Sequence, residues 1–139
     1  MKIFLDANIC LDLLDTTRSA SDASVAWYMA HKDDPEVTFN FSGDFITTLY
    51  YILSERKKID THRVVHAIDV LSTEVLPLYL HHSDFVAAKQ DFYEGVCEDF
   101  EDLIILHSAL RAGCDLFVTH DTRLLQLGLL GTLEIKAIQ

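Results

Sequence analysis

Hydrophobic and polar positions along this chain follow two rhythms. Short, nearly all-apolar runs predict strands at residues 2–5 (KIFL), 36–41 (EVTFNF), 75–79 (VLPLY), 115–119 (DLFVT) and 133–137 (LEIKA). Between them, apolar residues recur at helical spacing. A helix starts at Ala7 and runs to Leu14, and a second covers 21–31 (SDASVAWYMAH). Residues 44–58 bring Phe45, Leu49 and Ile52 into line, and 61–72 set Val64, Val65, Ile68 and Leu71 against His62, His66 and Asp69. Residues 83–95 align Phe85, Ala88 and Phe92, and 100–112 align Leu103, Leu106 and Leu110 before Gly113 stops the helix.

Strands that are apolar throughout, and separated by helices instead of tight turns, predict a parallel sheet covered on both faces. The expected class is therefore α/β, a three-layer α/β/α sandwich around a mostly parallel sheet of about five strands. The last run alternates Leu133, Ile135 and Ala137 with Glu134 and Lys136, as an edge strand would. There is no repeat and no Pro/Gly/Ser-rich linker, and 139 residues suit one domain over 1–139 with a core that needs no disulfide.

Composition narrows the chemistry. With 22 acidic against 11 basic residues the formal charge is −11, which disfavours a protein that coats nucleic acid through its phosphates. It leaves room for a site that gathers carboxylates and loads divalent cations, because the ions invert the local field. Cys10, Cys97 and Cys114 have no CxxC spacing and read as reduced thiols. No apolar stretch has the length of a membrane span, and Asp6 and Asp12 interrupt the start where a secretory signal would be apolar. The expectation is a cytoplasmic protein with no membrane partner.

In open α/β sheets, ligands bind beyond the carboxyl ends of the strands. Asp6 with Asn8 follows the first strand, Ser42-Gly43-Asp44 the second, and Thr119 with Asp121 the fourth. The stretch EDFED (98–102) opens the long helix before that fourth strand. Each acid has a local use: Asp6, Asp99 and Asp121 can each cap a helix, for about 1 kcal/mol apiece. Asp99 and Asp102 also have the spacing of a capping box. Convergence is what caps leave unexplained, since carboxylates sharing a crevice repel by ~1–4 kcal/mol per close pair. Mg²⁺ or Mn²⁺, hard ions that prefer oxygen, would relieve that repulsion.

Three stretches then carry a resemblance. "IFLDANICLDLL", "DFITTLYYILSER" and "DFEDLIILHSALRAGCDLFVTHD" resemble the opening strand and helix, the second helix, and the acid-led helix with its closing T-x-D of the PIN-domain family. The family comprises small metal-dependent nucleases and includes the VapC-type toxins of toxin–antitoxin pairs. The resemblance spans essentially the whole chain and implies a PIN-like fold. It implies Asp6, Asp102 and Asp121 as catalytic, Mg²⁺- or Mn²⁺-binding acids, with Asp99 a neighbour and Asn8 and Thr119 orienting them. In one place the chain departs from the family: Thr48 stands where a second acid is usual, and Asp44, one turn earlier, is the candidate replacement.

The implied activity is hydrolysis of RNA phosphodiesters, with RNA as substrate, a separate antitoxin protein as partner, and a homodimer as the assembly. Arg123 is the candidate for touching the RNA backbone, alongside the basic cluster ERKK (55–58) and Arg63. Two alternatives stand beside the nuclease. One is a PIN-like interaction module that lost its second acid. The other is an aspartate-dependent phosphohydrolase, which generally wants D-x-D where this chain has Asp6 and Asn8. His62 and His66 have the spacing of a zinc pair but lack the Glu of H-E-x-x-H. His81, His82 and His120 have no partner pattern, and His107 is expected to pack inside its helix.

Overall fold

A computed structural model describes residues 1–138. The chain runs β1 (Lys2–Leu5), α1 (Ala7–Leu14), α2 (Ser21–His31), β2 (Thr38–Ser42), α3 (Ile46–Tyr51), α4 (Thr61–Glu74) and β3 (Val75–Leu78). It continues through α5 (His82–Tyr93), α6 (Phe100–Arg111), β4 (Leu116–Val118), α7 (Thr122–Leu127), β5 (Leu129–Leu130) and β6 (Leu133–Lys136). The strands form one six-stranded sheet in the order β3-β2-β1-β4-β6-β5, parallel at every pairing but β5 with β6.

The period-two alternation of β1 divides the core. Ile3 and Leu5 face Phe39, Phe41, Leu49, Leu53, Ile68 and Val75 on one side of the sheet. Phe4 faces the other side, with Phe117, Leu106, Leu124, Leu133 and Ile135. The Phe4 and Phe117 rings stack with centroids 5.2 Å apart and planes 9° from parallel. Each such fully buried side chain contributes about 1.5–3 kcal/mol, so neighbouring residues of one strand anchor both helical layers.

The sheet has one strand more than the pattern predicts. β5 is only two residues long, too short for any periodicity, and joins β6 through a turn at Gly131, where φ is +59°. β6 consequently lies between β4 and β5 instead of at the edge. The helix expected over 44–58 breaks into a 3₁₀ turn (Gly43–Phe45), α3, and a π-helical turn (Ile52–Arg56). In the last of these, Lys57 N–H reaches back five residues to Ile52 O at 3.0 Å. Val65, expected on the buried face of α4, is 56% exposed, because it sits one residue and about 100° beyond Val64. Among the described residues no helix is long and apolar enough to cross a membrane.

Candidate functional site

The chain reverses its direction across the sheet beside β1: β2 pairs with one of its edges and β4 with the other. A ligand crevice is expected at such a switch point. Asp6 N–H donates to Val118 O at 3.0 Å, carrying the β1–β4 ladder one residue further and setting Asp6 beside Thr119. The Thr119 side chain is fully buried. Its hydroxyl donates to Asp6 Oδ2 at 2.7 Å and accepts from Asp121 N at 3.0 Å and Asn8 Nδ2 at 3.3 Å. Asn8 Oδ1 in turn accepts from His120 N at 3.3 Å. One hydroxyl thus locks two strand ends together.

The capping roles are real. Asp6 Oδ1 accepts from Ala7 N at 2.8 Å, Asp99 Oδ1 from Asp102 N at 3.2 Å, and Asp121 Oδ1 from Arg123 N at 2.9 Å. The acids nevertheless converge. Burial raises Asp6 above the usual carboxylate range, and Asp121 adds to the rise against the hydrogen bonds from Thr119 and Ala7. Burial, then Asp99, Asp6 and Asp121, push Asp102 up to about 6, with Arg123 opposing. Asp102 stands between two spaces: a narrow cavity of about 90 Å³ that also touches Asp6, Cys10, Phe41 and Phe45, and a wider crevice of about 480 Å³ that also touches Asp99 and Arg123. Burial, with Asp6 next to it, pushes the Cys10 thiol up, so it stays protonated and is a poor nucleophile or ligand.

Among the described residues no three His, Cys, Asp or Glu side chains close into a ready-made cage. The donor chemistry still fits a hard divalent cation. The converging groups are carboxylate oxygens that repel one another, and Mg²⁺ is commonly held by one or two carboxylates with water completing the shell. Asp44 is engaged elsewhere: its Oδ2 accepts from Leu80 N at 2.8 Å, pinning the loop between β3 and α5. Thr48 is exposed. Of the basic cluster, Lys57 Nζ lies 3.7 Å from the buried Asp15, at the far end of α1 from Asp6. Arg123 is 64% exposed, with its Nε 3.9 Å from Asp121. His62 and His66 are exposed on α4.

Sequence pattern missed a second layer behind the acids. Asp12, on α1, is fully buried. Its carboxylate accepts from Arg18 Nε at 2.8 Å and Ser24 Oγ at 2.5 Å, and His120 Nε2 lies 2.7 Å away. Although burial works against it, the bonds from Arg18, Ser24 and His120 hold Asp12 below the usual range. His120 therefore has a partner after all. His107 also has one, with its Nε2 2.5 Å from Asp91 across the α5–α6 contact. The one sequence signal for the Asp12 network was an acid inside the apolar face of α1, with serines where α2 turns inward.

The fold and these residues can be set against known proteins. A family model described as "PIN domain" matches residues 2–123. No curated protein sequence gives a significant match. Among solved structures, the chain is similar to VapBC2 from Rickettsia felis bound to a DNA fragment from its promoter, at 14% identity and a TM-score of 0.68 over 99% of this chain and 98% of the other. It is similar to Mycobacterium tuberculosis VapC20, a Sarcin-Ricin loop cleaving toxin, at 14% identity and a TM-score of 0.68, covering 92% and 96%. VapBC-1 from nontypeable Haemophilus influenzae matches at 18% identity and a TM-score of 0.67, covering 99% and 98%. At such identities the likeness is one of fold. The family model is more specific, since its span takes in Asp6, Asp99, Asp102 and Asp121 together, and the chain belongs to the PIN-domain family.

Proposed function

We propose that the crevice between β1, β4 and the start of α6 is the centre of an Mg²⁺- or Mn²⁺-dependent endoribonuclease, the toxin of a toxin–antitoxin pair. The observation that carries this is the convergence of Asp6, Asp102 and Asp121, with Asp99 adjacent: burial lifts Asp102 most, and these neighbours add to the rise, to about 6. Acids that raise one another's proton affinity in this way favour a cation among them. The toxin assignment is supported by the fold neighbours, two of which are VapBC proteins and the third a Sarcin-Ricin loop cleaving toxin.

Asp6, Asp102 and Asp121 would hold the ion, which when bound supplies the Lewis acidity that makes a water more acidic and offsets charge on the phosphate. Thr119 holds Asp6 through Oδ2 while Ala7 holds Oδ1, so the carboxylate keeps one orientation. Asn8 fixes the backbone of the T-x-D loop through His120 N, which sets the direction of Asp121. Asp102, elevated to about 6, gives up its proton readily when a cation arrives near neutral pH. Arg123, which lines the wide crevice, would meet a phosphate of the substrate.

Partners follow from the same assignment: RNA as substrate, an antitoxin protein to restrain the toxin, and a second copy of the chain. A non-catalytic binding module is the second reading, favoured by the exposed Thr48 at the usual acid position and by Asp44 being tied to Leu80. Cleavage of a panel of structured RNAs with Mn²⁺, with and without EDTA, separates the two. Metal-dependent products from wild type and none from Asp102→Asn support the nuclease. Identical products from both contradict it.

A further inference from the structure

Helix α1 meets the crevice twice. Its N-cap is Asp6, and further along one of its faces Asn8 and Asp12, one turn apart, both reach across to a single residue of the loop after β4. Asn8 Oδ1 accepts from His120 N at 3.3 Å, and Asp12 Oδ2 lies 2.7 Å from His120 Nε2. His120 is therefore held by its backbone and by its ring. On one side of it in the chain stands Thr119, whose hydroxyl donates to Asp6 at 2.7 Å, and on the other stands Asp121. His120 lines neither of the spaces at Asp102, so its influence on them passes through Asp121.

Asp12 is itself set by α2 and the turn before it. Ser24 Oγ donates to its Oδ2 at 2.5 Å and lies 3.3 Å from His120 Nε2. Arg18 Nε donates to its Oδ1 at 2.8 Å, and Ser21 Oγ to its main-chain oxygen at 2.7 Å. An ionised carboxylate only accepts, so Nε2 carries a proton whether or not the ring is charged. Stability alone accounts poorly for this network. Asp12 is fully buried, and apolar side chains of similar volume commonly join two helices as well without the desolvation cost. Apolar contacts do not fix direction, and hydrogen bonds do.

We infer that His120 is a positioning residue for the cation site: the Asp12–His120 bond fixes the loop that carries Asp121 relative to Asp6, so that α1 sets the separation of the two acids. This rests on the crevice binding a divalent cation. The acids come from strand ends more than a hundred residues apart in sequence, and α1 is the element that holds both, Asp6 as its own cap and Asp121 through His120.

The test is Mn²⁺ titration of the full chain by electron paramagnetic resonance, with urea denaturation of each variant alongside. His120→Leu keeps bulk and deletes the donor, and its Mn²⁺ affinity should fall about tenfold. His120→Gln places an amide nitrogen near the position of Nε2 and should recover most of that loss. Ser24→Ala, which touches none of the crevice acids, should weaken binding in the same direction. A folded His120→Leu that binds Mn²⁺ as wild type does, whatever its urea midpoint, overturns the proposal and leaves the network a purely structural role. An equal loss in the leucine and glutamine variants overturns it too, because the bond to Asp12 would then not matter. Failure of the cation site itself is read from wild type: no saturable binding there removes the site to be positioned, and this proposal with it.

Discussion

His120 Nε2 lies 2.7 Å from Asp12 Oδ2, so the residue between Thr119 and Asp121 is tied to a fully buried carboxylate on α1. Arg18 and Ser24 complete the carboxylate's hydrogen bonds. The loop that carries Asp121 is thereby clamped from behind by Asp12 and from the front by Asn8 and Thr119. Arg18→Met removes a charge-assisted bond from that buried carboxylate and should lower stability by about 1–3 kcal/mol. Urea denaturation of the metal-free chain measures it, and a midpoint equal to wild type would contradict the clamp.

Thr119→Val keeps the shape and deletes the hydroxyl on which Asp6, Asn8 and Asp121 N converge. Groups that orient metal ligands typically contribute 10–100-fold to metal affinity or activity. A fall of about that size in Mn²⁺ affinity is expected, with the circular dichroism spectrum unchanged. Thr119→Ser, which keeps the donor, should recover most of it.

Much of this was legible in the chain, and the rest was hidden for identifiable reasons. Five of the six strands and the placement of Asp6, Thr119 and Asp121 at adjoining strand ends follow from apolar runs bounded by polar residues. β5 escapes because two residues carry no period. The π-helical turn at Ile52–Arg56 escapes because apolar spacing does not reveal which carbonyl an N–H selects. Asp12 and His120 are 108 residues apart, and their pairing exists only once β1 and β4 lie side by side. Asp44 has the sequence position of a candidate ligand, yet the loop after β3 supplies Leu80 N–H to its carboxylate first.

Asp44→Asn should accordingly leave Mn²⁺ affinity within about twofold of wild type. Its cost falls on the β3–α5 loop, about 1 kcal/mol for weakening the bond to Leu80 N. Isothermal titration and urea denaturation on the same preparation separate the two effects. A large loss of metal affinity would make Asp44 the missing second acid.

The pH dependence of stability has opposing contributions: Asp102 and Asp6 are raised, while Asp12, Asp15, Glu74 and Asp84 are lowered. Asp102 sits at about 6 when folded, against an ordinary 3.8. The folded chain therefore binds more protons at this site over that interval, and the metal-free protein gains stability from it as pH falls from 7 towards 5. Asp12 is held low, so its contribution is present above the ordinary carboxylate range and is lost as pH falls through its folded value. Denaturation midpoints at pH 7, 6 and 5 should show the Asp102 gain in wild type and a smaller one in Asp102→Asn. Equal slopes in the two proteins would rule out the elevated carboxyl.

The central claim is that Asp6, Asp102 and Asp121 converge to hold a divalent cation, and direct Mn²⁺ titration followed by electron paramagnetic resonance tests it without any substrate. The account predicts saturable binding near neutral pH that weakens at least tenfold in Asp102→Asn and in Asp6→Asn, while Asp44→Asn binds as wild type. Saturable binding that is indifferent to Asp6 and Asp102, or no saturable binding by a folded wild type, would contradict it.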